Sequence, residues 1–573
     1  MRLSSGFLRQ FLIVSCLCSV AQHGFAQGVP IPSSAEAAAA ENRAAILPPL
    51  RTETLIVPDD DNLACTFGPG LAGVSVMLRN IAFEGAEKFP EADLSPSSTG
   101  LPVGQVIAVN DICTATRLLT RDIRNAGYVF SRAYLPEQDI TDGRLVFHFQ
   151  AVRVGDVRIE GDDPGGFLTA IGDANRALEP YDANRVTTPA ALSLGDRLPR
   201  VDGQRQNPIS TTALADRDTL ADTTTFVLSR NEVDTSPRYR FSVDNRGSKA
   251  NGPWALDASA TWYETFAPYD ILGVRVLQSP DLDELSYASV AYDYLLRPNG
   301  TALRFRAALS RSEPGTDTLA AIEEENESQS LSFSWYQPLR RTQTDSLAFV
   351  GRFDLRNSSS TQLGAPATDD RLRVFRAGLE FSKSYQNFST LQLVGTLSQG
   401  IDGLGSTKAG NPLATRSDGK TRFTKADIFA RYIRDFESGF RFTALAKGQL
   451  SSDSLLSAEE CGVGGATFGR GFNSSEITGD HCVAASIEVS RTITESLPSG
   501  LSALQPYAFI DGGMVYNSGT QPDESLASAG LGIRADFSRG ISGSLEIAKP
   551  INRDSEFSGD KSPRFFVGLS ASF

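Results

Sequence analysis

From Pro237 to the C-terminus, apolar and polar residues alternate with a period of two. Tyr239, Phe241 and Val243 alternate with Arg240, Ser242 and Asp244. Trp254, Leu256, Ala258, Ala260 and Trp262 are interleaved with Asp257, Ser259 and Thr261. The same holds for Leu303, Phe305, Ala307 and Leu309 against Arg304 and Arg306, and for Leu331, Phe333 and Trp335 against Ser330, Ser332 and Ser334. Successive side chains of a strand point to opposite faces, so the pattern predicts antiparallel strands with one apolar and one polar face. A soluble sheet with one wet face would read this way over a few strands. Here the alternation persists over 337 residues, aromatics gather at strand ends, and long polar loops alternate with short turns. That combination favours a closed barrel with lipid outside, and at about 21 residues per strand and connection the region holds roughly 16 strands.

Upstream the periodicity is mixed. Residues 74–78 and 81–85 read as strand running into a turn; Asn110 or Asp111 caps a helix whose Ile112, Ala115, Leu119, Ile123 and Ala126 share one face, and Gly127 closes it. Strands at 128–134 and 145–152 follow, the second after the turn Asp142-Gly143. A similar unit then begins with a strand at 154–161, continues with helices at 167–178 and 188–198, and closes with a strand at 223–230. Nearer the N-terminus, residues 33–45 are Ala-rich, can be capped by Ser33 or Ser34, and stop before Pro48-Pro49. This helix has no wide apolar stripe; it is either a frayed linker or a plug that a narrow polar tunnel would hold.

Charge and composition narrow the classes. The chain has 54 basic and 68 acidic residues, a formal charge of −14, and lacks any Lys/Arg-rich run that could neutralise phosphates, which argues against a nucleic-acid partner. Residues 1–26 read as an export signal: Arg2 and Arg9, an apolar stretch from Phe11 to Ala21, and Gly24-Phe25-Ala26 before Gln27. Ile13-Val14-Ser15-Cys16 offers a loose lipoprotein alternative. Downstream of residue 26 no apolar stretch approaches the roughly 18 to 20 residues of a membrane helix. Beyond the signal the cysteines are Cys65, Cys113, Cys461 and Cys482, disulfide candidates in an oxidising compartment. Three connectivities are open, and proximity favours Cys65 with Cys113 and Cys461 with Cys482. Enzymatic readings lack an anchor: His148 and His481 are the only histidines past the signal, and neither a Gly-x-Ser-x-Gly elbow nor a His-Glu-x-x-His helix occurs. Asp418-Gly419-Lys420-Thr421 echoes half a phosphate loop, but Ala414 occupies its first glycine position, so the segment reads as a turn. No metal, cofactor or catalytic residue is expected.

Four segments carry a family resemblance: 83–89 (Phe83-Glu84-Gly85 onward), Gly127-Tyr128, Asp142-Gly143, and Val243-Asp244-Asn245-Arg246-Gly247-Ser248 in the first barrel strand. With them, the chain resembles the two-partner secretion transporters (TpsB, the hemolysin secretion/activation type) of the superfamily that joins POTRA domains to an outer-membrane barrel. The resemblance implies a signal peptide (1–26), plug helix and linker (27–71), two α+β POTRA domains (72–153 and 154–235) and a barrel of about 16 strands (236–573). Its most specific motif is Phe468-Gly469-Arg470-Gly471-Phe472, similar to the Arg-Gly-aromatic signature of the sixth extracellular loop, which in the family folds back into the lumen. The implied partner is Asp511 in Phe509-Ile510-Asp511-Gly512-Gly513. The family usually has a branched apolar residue where Gly469 stands. The last strand, with Phe565, Val567, Leu569, Ala571 and terminal Phe573 on one face, resembles the assembly signal of outer-membrane barrels read by the barrel assembly machinery. The function implied is ATP-independent export of one large unfolded exoprotein, of hemolysin or adhesin type, captured by the POTRA domains. The alternatives are a barrel-assembly insertase of the same superfamily and a passive porin or receptor.

Overall fold

The computed structural model describes residues 74–573, apart from 91, 93, 127, 129, 130, 152, 177–183, 201–205, 215–222, 343, 386 and 520. The expected signal, the helix at 33–45 and Cys65 lie outside the described residues.

In the first unit, strand Asn80–Glu84 runs parallel to Arg144–Gln150, whose other edge pairs antiparallel with Arg132–Tyr134. Helix Val109–Asn125 covers this sheet with Ile112, Ala115, Leu119 and Ile123, all buried against a core that includes Phe147 and Phe149. Burying such side chains contributes about 1.5 to 3 kcal/mol each, enough to fix the helix on the sheet. The helix starts at Val109, ahead of the expected cap. Asp111 sits inside the first turn and accepts the Ala108 N–H at 3.2 Å. The strand expected at 128–134 shortens to Arg132–Tyr134. Tyr128 donates its N–H back to the Ile123 carbonyl, Ser131 donates to the Tyr128 carbonyl, and the Tyr128 ring packs edge-on against Phe89, so a turn replaces extended backbone. Ser75–Met77 pairs with Val106–Ala108 in a separate two-stranded sheet.

The second unit repeats the topology: Arg153–Glu160 is parallel to Thr223–Arg230, which pairs antiparallel with Ile209–Leu214. That last strand was not legible in the sequence. Its helices are Phe167–Arg176 and Asn184–Gly195. The second begins before the expected Thr188-Pro189 start, so Pro189 lies within it rather than at its first turn, where it gives up one backbone bond.

Sixteen antiparallel strands then close into a barrel, Arg238–Asp244 meeting Arg564–Ser572 at the seam. Alternation is realised as predicted by the pattern: Phe305, Leu309, Leu331, Phe333, Trp335, Leu545, Val567 and Leu569 point outward and are exposed in the protein alone. Among the described residues no helix is long and apolar enough to cross a membrane, and crossing is by strands. The seam has only five register pairs, Gly568↔Asp244 to Ser572↔Arg240. Asn245 extends it with its side chain, accepting the Val567 N–H at 2.7 Å and donating to the Phe565 carbonyl at 2.9 Å. Phe573 and Tyr239 exchange two backbone bonds at its other end.

The second α/β unit docks on the near rim of the barrel. Arg197, buried, donates to the Tyr269 carbonyl at 2.5 Å and to the Asp293 carboxylate at 2.8 Å. Arg230 grips Glu264 with two bonds of 2.9 Å, Arg341 pairs with Asp196, and Tyr269 and Leu295 of the barrel join the unit's hydrophobic core. At the far rim, strands Asp345–Gln362 and Ala365–Tyr385, 18 and 21 residues long, outgrow the neighbouring Ser389–Gly400 with 12, whose pairing stops at Val374↔Gly400. Two far-rim loops matter below: loop 5 (401–423) and loop 6 (452–480), the sixth in chain order.

Candidate functional site

Loop 6 contains its own small hairpin. Cys461–Val463 pairs with Ile477–Gly479, and a Cys461–Cys482 disulfide with a Cα separation of 6.0 Å staples its root. Cys113 is also disulfide-bonded. Val463, Phe468, Phe472 and Ile477 bury against Ala484, Val515 and Leu526 of the wall, so an apolar contact holds the hairpin inside the barrel. At its tip Gly469 adopts φ +92°, a left-handed conformation suited to glycine, and a Cβ there would come within 2.3 Å of Leu526 Cδ1. A Cβ on Gly471 would meet Pro550 N at 3.0 Å and Ser528 Cβ at 3.1 Å. Both glycines therefore let the tip lie flush on the wall, and the branched residue usual in the family would not fit at 469.

The tip delivers Arg470 to a cage of inward-facing side chains. Strands Leu501–Tyr516 and His481–Arg491 set Asp511 beside Ser486 and Glu488 beside Phe509; Asp511 is also in register with Ser528. The Arg470 N–H donates to Asp511 Oδ1 at 3.2 Å, and its Nε faces Oδ2 at 3.3 Å, an ionic contact outside hydrogen-bond alignment. Ser528 Oγ donates to Asp511 Oδ1 and accepts the Gly471 N–H at 3.1 Å. The shortest guanidinium bond goes to Glu488 Oε2 at 2.8 Å, with Glu546 Oε2 at 3.4 Å, and the Arg470 Cζ lies 4.0 Å from the Phe509 ring centroid. Arg534 binds Glu488 at 2.7 and 2.9 Å, Arg246 binds Glu546 at 2.8 Å, and Tyr507 donates to Glu546 at 2.7 Å. Three guanidiniums (Arg470, Arg534, Arg246) thus meet three carboxylates (Asp511, Glu488, Glu546).

Of the residues singled out from sequence, the structure brings together Phe468, Gly469, Arg470, Gly471 and Phe472 with Phe509 and Asp511. Gly512 and Gly513 follow on the same strand; a Cβ on Gly513 would come within 2.6 Å of the Ala484 Cβ. Phe565, Val567, Leu569, Ala571 and Phe573 lie at the seam, away from this cage. Glu488, Glu546 and Arg534 were missed, and Arg246 was noted only within the Val243–Ser248 segment, without its place in the cage. The available signal was a lone charge between outward apolar neighbours, as in Ile487-Glu488-Val489 and Leu545-Glu546-Ile547. Asp418 and Lys420, in the phosphate-loop echo, are tied to Arg416 and Asp453 at 3.2 and 2.7 Å. His148 is a sheet residue whose Nε2 lies 3.1 Å from Glu84.

A charged loop tip folded onto the inner wall of a sixteen-strand barrel that is preceded by two small α/β units, the second docked on its near rim, defines a class: POTRA-bearing outer-membrane barrels. Within it, the family model for haemolysin secretion/activation protein ShlB/FhaC/HecB matches residues 223–535, and that for the ShlB-type POTRA domain matches 76–147. The chain belongs to this haemolysin secretion/activation family of two-partner secretion transporters. It lies in the Gram-negative outer membrane with its POTRA region in the periplasm, so the far rim is extracellular. It is 22% identical over 529 residues to the outer membrane transporter CdiB of Escherichia coli, covering 87% of this chain and 82% of that one. The solved structure of Escherichia coli CdiB superposes with a TM-score of 0.65 at 18% identity, covering 96% of this chain and 100% of that one. CdiB of Acinetobacter baumannii gives 0.57 at 16%, covering 94% and 96%. BamA of Haemophilus ducreyi lacking POTRA domains 1–3 gives 0.52 at 13%, covering 87% and 100%, a likeness of fold alone.

Proposed function

We propose that this transporter captures the secretion domain of one large exoprotein of hemolysin or adhesin type with its POTRA domains and exports it unfolded to the cell surface without ATP. The observation that carries the reading is the loop 6 tip seated in a balanced charge cage inside the barrel: a lumen occupied by a loop held largely through polar contacts suits a gated conduit for chains, whereas a porin needs a standing opening. Strand Asn80–Glu84 lies at an edge of the first sheet and would offer that edge to an extended segment of the partner, whereas at the opposite edge the Ala133 N–H and carbonyl are taken by the Thr120 hydroxyl. Folding outside supplies the direction in place of nucleotide. The residues at the seam, Phe565, Val567, Leu569, Ala571 and Phe573, serve as the assembly signal, and the helix at 33–45 acts as a second plug.

The test compares surface and supernatant proteins of a deletion strain with its parent by mass spectrometry. Loss of one large protein, restored by the intact gene and not by Arg470→Ala, is the expected result. A joint decline of many outer-membrane barrels would instead assign an insertase, and a change confined to small-solute uptake would assign a pore.

A further inference from the structure

A second buried charge cluster lies away from the tip, at the root of loop 6. Glu460 immediately precedes Cys461, and Asp480 stands two residues before Cys482, so both carboxylates flank the disulfide staple. Between them loop 5 inserts Arg416, whose side chain is 3% exposed, with Nη1 at 2.6 Å from Glu460 Oε1 and 2.8 Å from Asp480 Oδ1. Asp480 also accepts the N–H groups of Leu455 at 2.6 Å and Ser518 at 2.9 Å, which ties loop 6 to the following far-rim loop. Next to it, Glu459 is held by Arg376 at 2.5 Å and Lys425 at 2.9 Å, both from the wall. Leu455 and Leu456 of loop 6 pack on Phe423 of loop 5 and on Leu372 and Val374.

The path from this root to the tip has little slack. Cys461 is in register with Gly479 and Val463 with Ile477, the disulfide fixes the open end, and backbone bonds from Gly464 to the Phe468 carbonyl at 2.7 Å and from Gly465 to the Gly469 carbonyl at 3.2 Å carry the order to residue 469. Without Arg416, two buried carboxylates would face each other with no cation between them, a strongly unfavourable arrangement that is relieved by splaying the root. A stapled hairpin cannot absorb that movement internally, so it passes to the tip, where contacts of 2.8 to 3.4 Å tolerate little displacement.

We propose that Arg416 is a positioning residue for the gate: it sets the root of loop 6 so that Arg470 reaches Glu488, Asp511 and Glu546. The proposal rests on the channel reading above. It is tested by recording ion leak through the purified protein in planar bilayers for Arg416→Ala, Arg416→Lys, Arg470→Ala and the Arg416→Ala/Arg470→Ala double variant. Each is prepared as the full chain and as the chain lacking residues 33–45, so that a second plug does not mask the loop. Arg416→Ala is expected to raise the leak by roughly tenfold, the scale of one lost charge-assisted contact. Arg416→Lys should restore part of the closure. The double variant should leak no more than Arg470→Ala alone, because both substitutions release the same tip.

A wild-type leak in Arg416→Ala, or a double variant whose effect is the product of the two single effects, overturns the proposal. Heat-modifiable migration in gels reports whether each barrel is folded. If Arg416→Ala fails that check, Arg416→Lys and the charge-reversed pair Arg416→Glu/Glu460→Arg carry the same comparison. A chain lacking residues 464–476 separates the two levels: if it does not conduct, the channel reading falls and this proposal with it. If it conducts while the Arg416 variants stay closed, only the positioning role falls.

Discussion

Arg470 engages its cage in two ways, with its backbone N–H and with its guanidinium. The amide, with Gly471, bonds the Asp511–Ser528 pair, while the guanidinium bonds Glu488 and Glu546 and turns only its Nε toward Asp511, at 3.3 Å. The pairing with Asp511 was legible from the motif around each residue, but the shorter side-chain contact with Glu488 was not, because the seating of the loop tip and the register of the adjacent strands decide which inward charges converge. Gly469 illustrates the opposite case: its departure from the family pattern is visible in the sequence, and only the Leu526 methyl gives the reason. Gly469→Val should therefore lift the tip, at a cost of about 1 to 3 kcal/mol from backbone strain and a similar amount from overpacking. Limited proteolysis of folded protein checks this, with faster cleavage within 464–476 expected; an unchanged pattern would show that the pocket under the tip yields more readily than its packing indicates.

At the scale of elements, loop 6 is a stapled hairpin clasped on several sides. Besides loop 5, it meets the last far-rim loop through Glu476, which is buried and accepts N–H groups from Asn473 at 2.7 Å and Glu556 at 3.0 Å. Burial lifts its carboxyl above the ordinary glutamate range despite these two bonds and the nearby Arg553 and Arg564. A raised acid holds its proton longer in the folded loop than in the unfolded chain, so this group's contribution to stability falls as pH rises above the ordinary glutamate value. Glu476→Gln should lower loop stability at acid pH, where an acceptor is lost, yet flatten its decline toward neutral pH. Protease protection of loop 6 measured at several pH values checks this, and an unaltered slope would remove Glu476 as its source. Elements with strong periodicity were readable: the helix bearing Ile112, Leu119 and Ile123, and the alternating barrel strands. Ile209–Leu214 and the short Arg132–Tyr134 were not, since one lacks a clear alternation and the other is cut back by a local turn around Tyr128.

At the scale of the whole molecule, the second α/β unit and the barrel meet through buried polar contacts around a shared apolar core. Arg197 is central, binding the Tyr269 carbonyl and Asp293 with its side chain almost fully enclosed. Arg197→Ala would leave Asp293 to Arg304 alone, at 3.0 Å. Breaking a buried pair costs about 3 to 5 kcal/mol, so the second unit should detach from the rim while each part stays folded. Faster protease cleavage between residues 231 and 237 with unchanged heat-modifiable migration is the expected result, and equal cleavage would show that Arg230, Arg341 and the shared apolar core suffice. The long strands at the far rim carry a different consequence. Residues 365–373 continue past the last pairing with Ser389–Gly400 and add roughly 30 Å of ladder at about 3.3 Å per residue. The turn at Leu363-Gly364 therefore stands beyond the rim on that side, a mast that an approaching antibody or phage would meet as the transporter's outermost edge there.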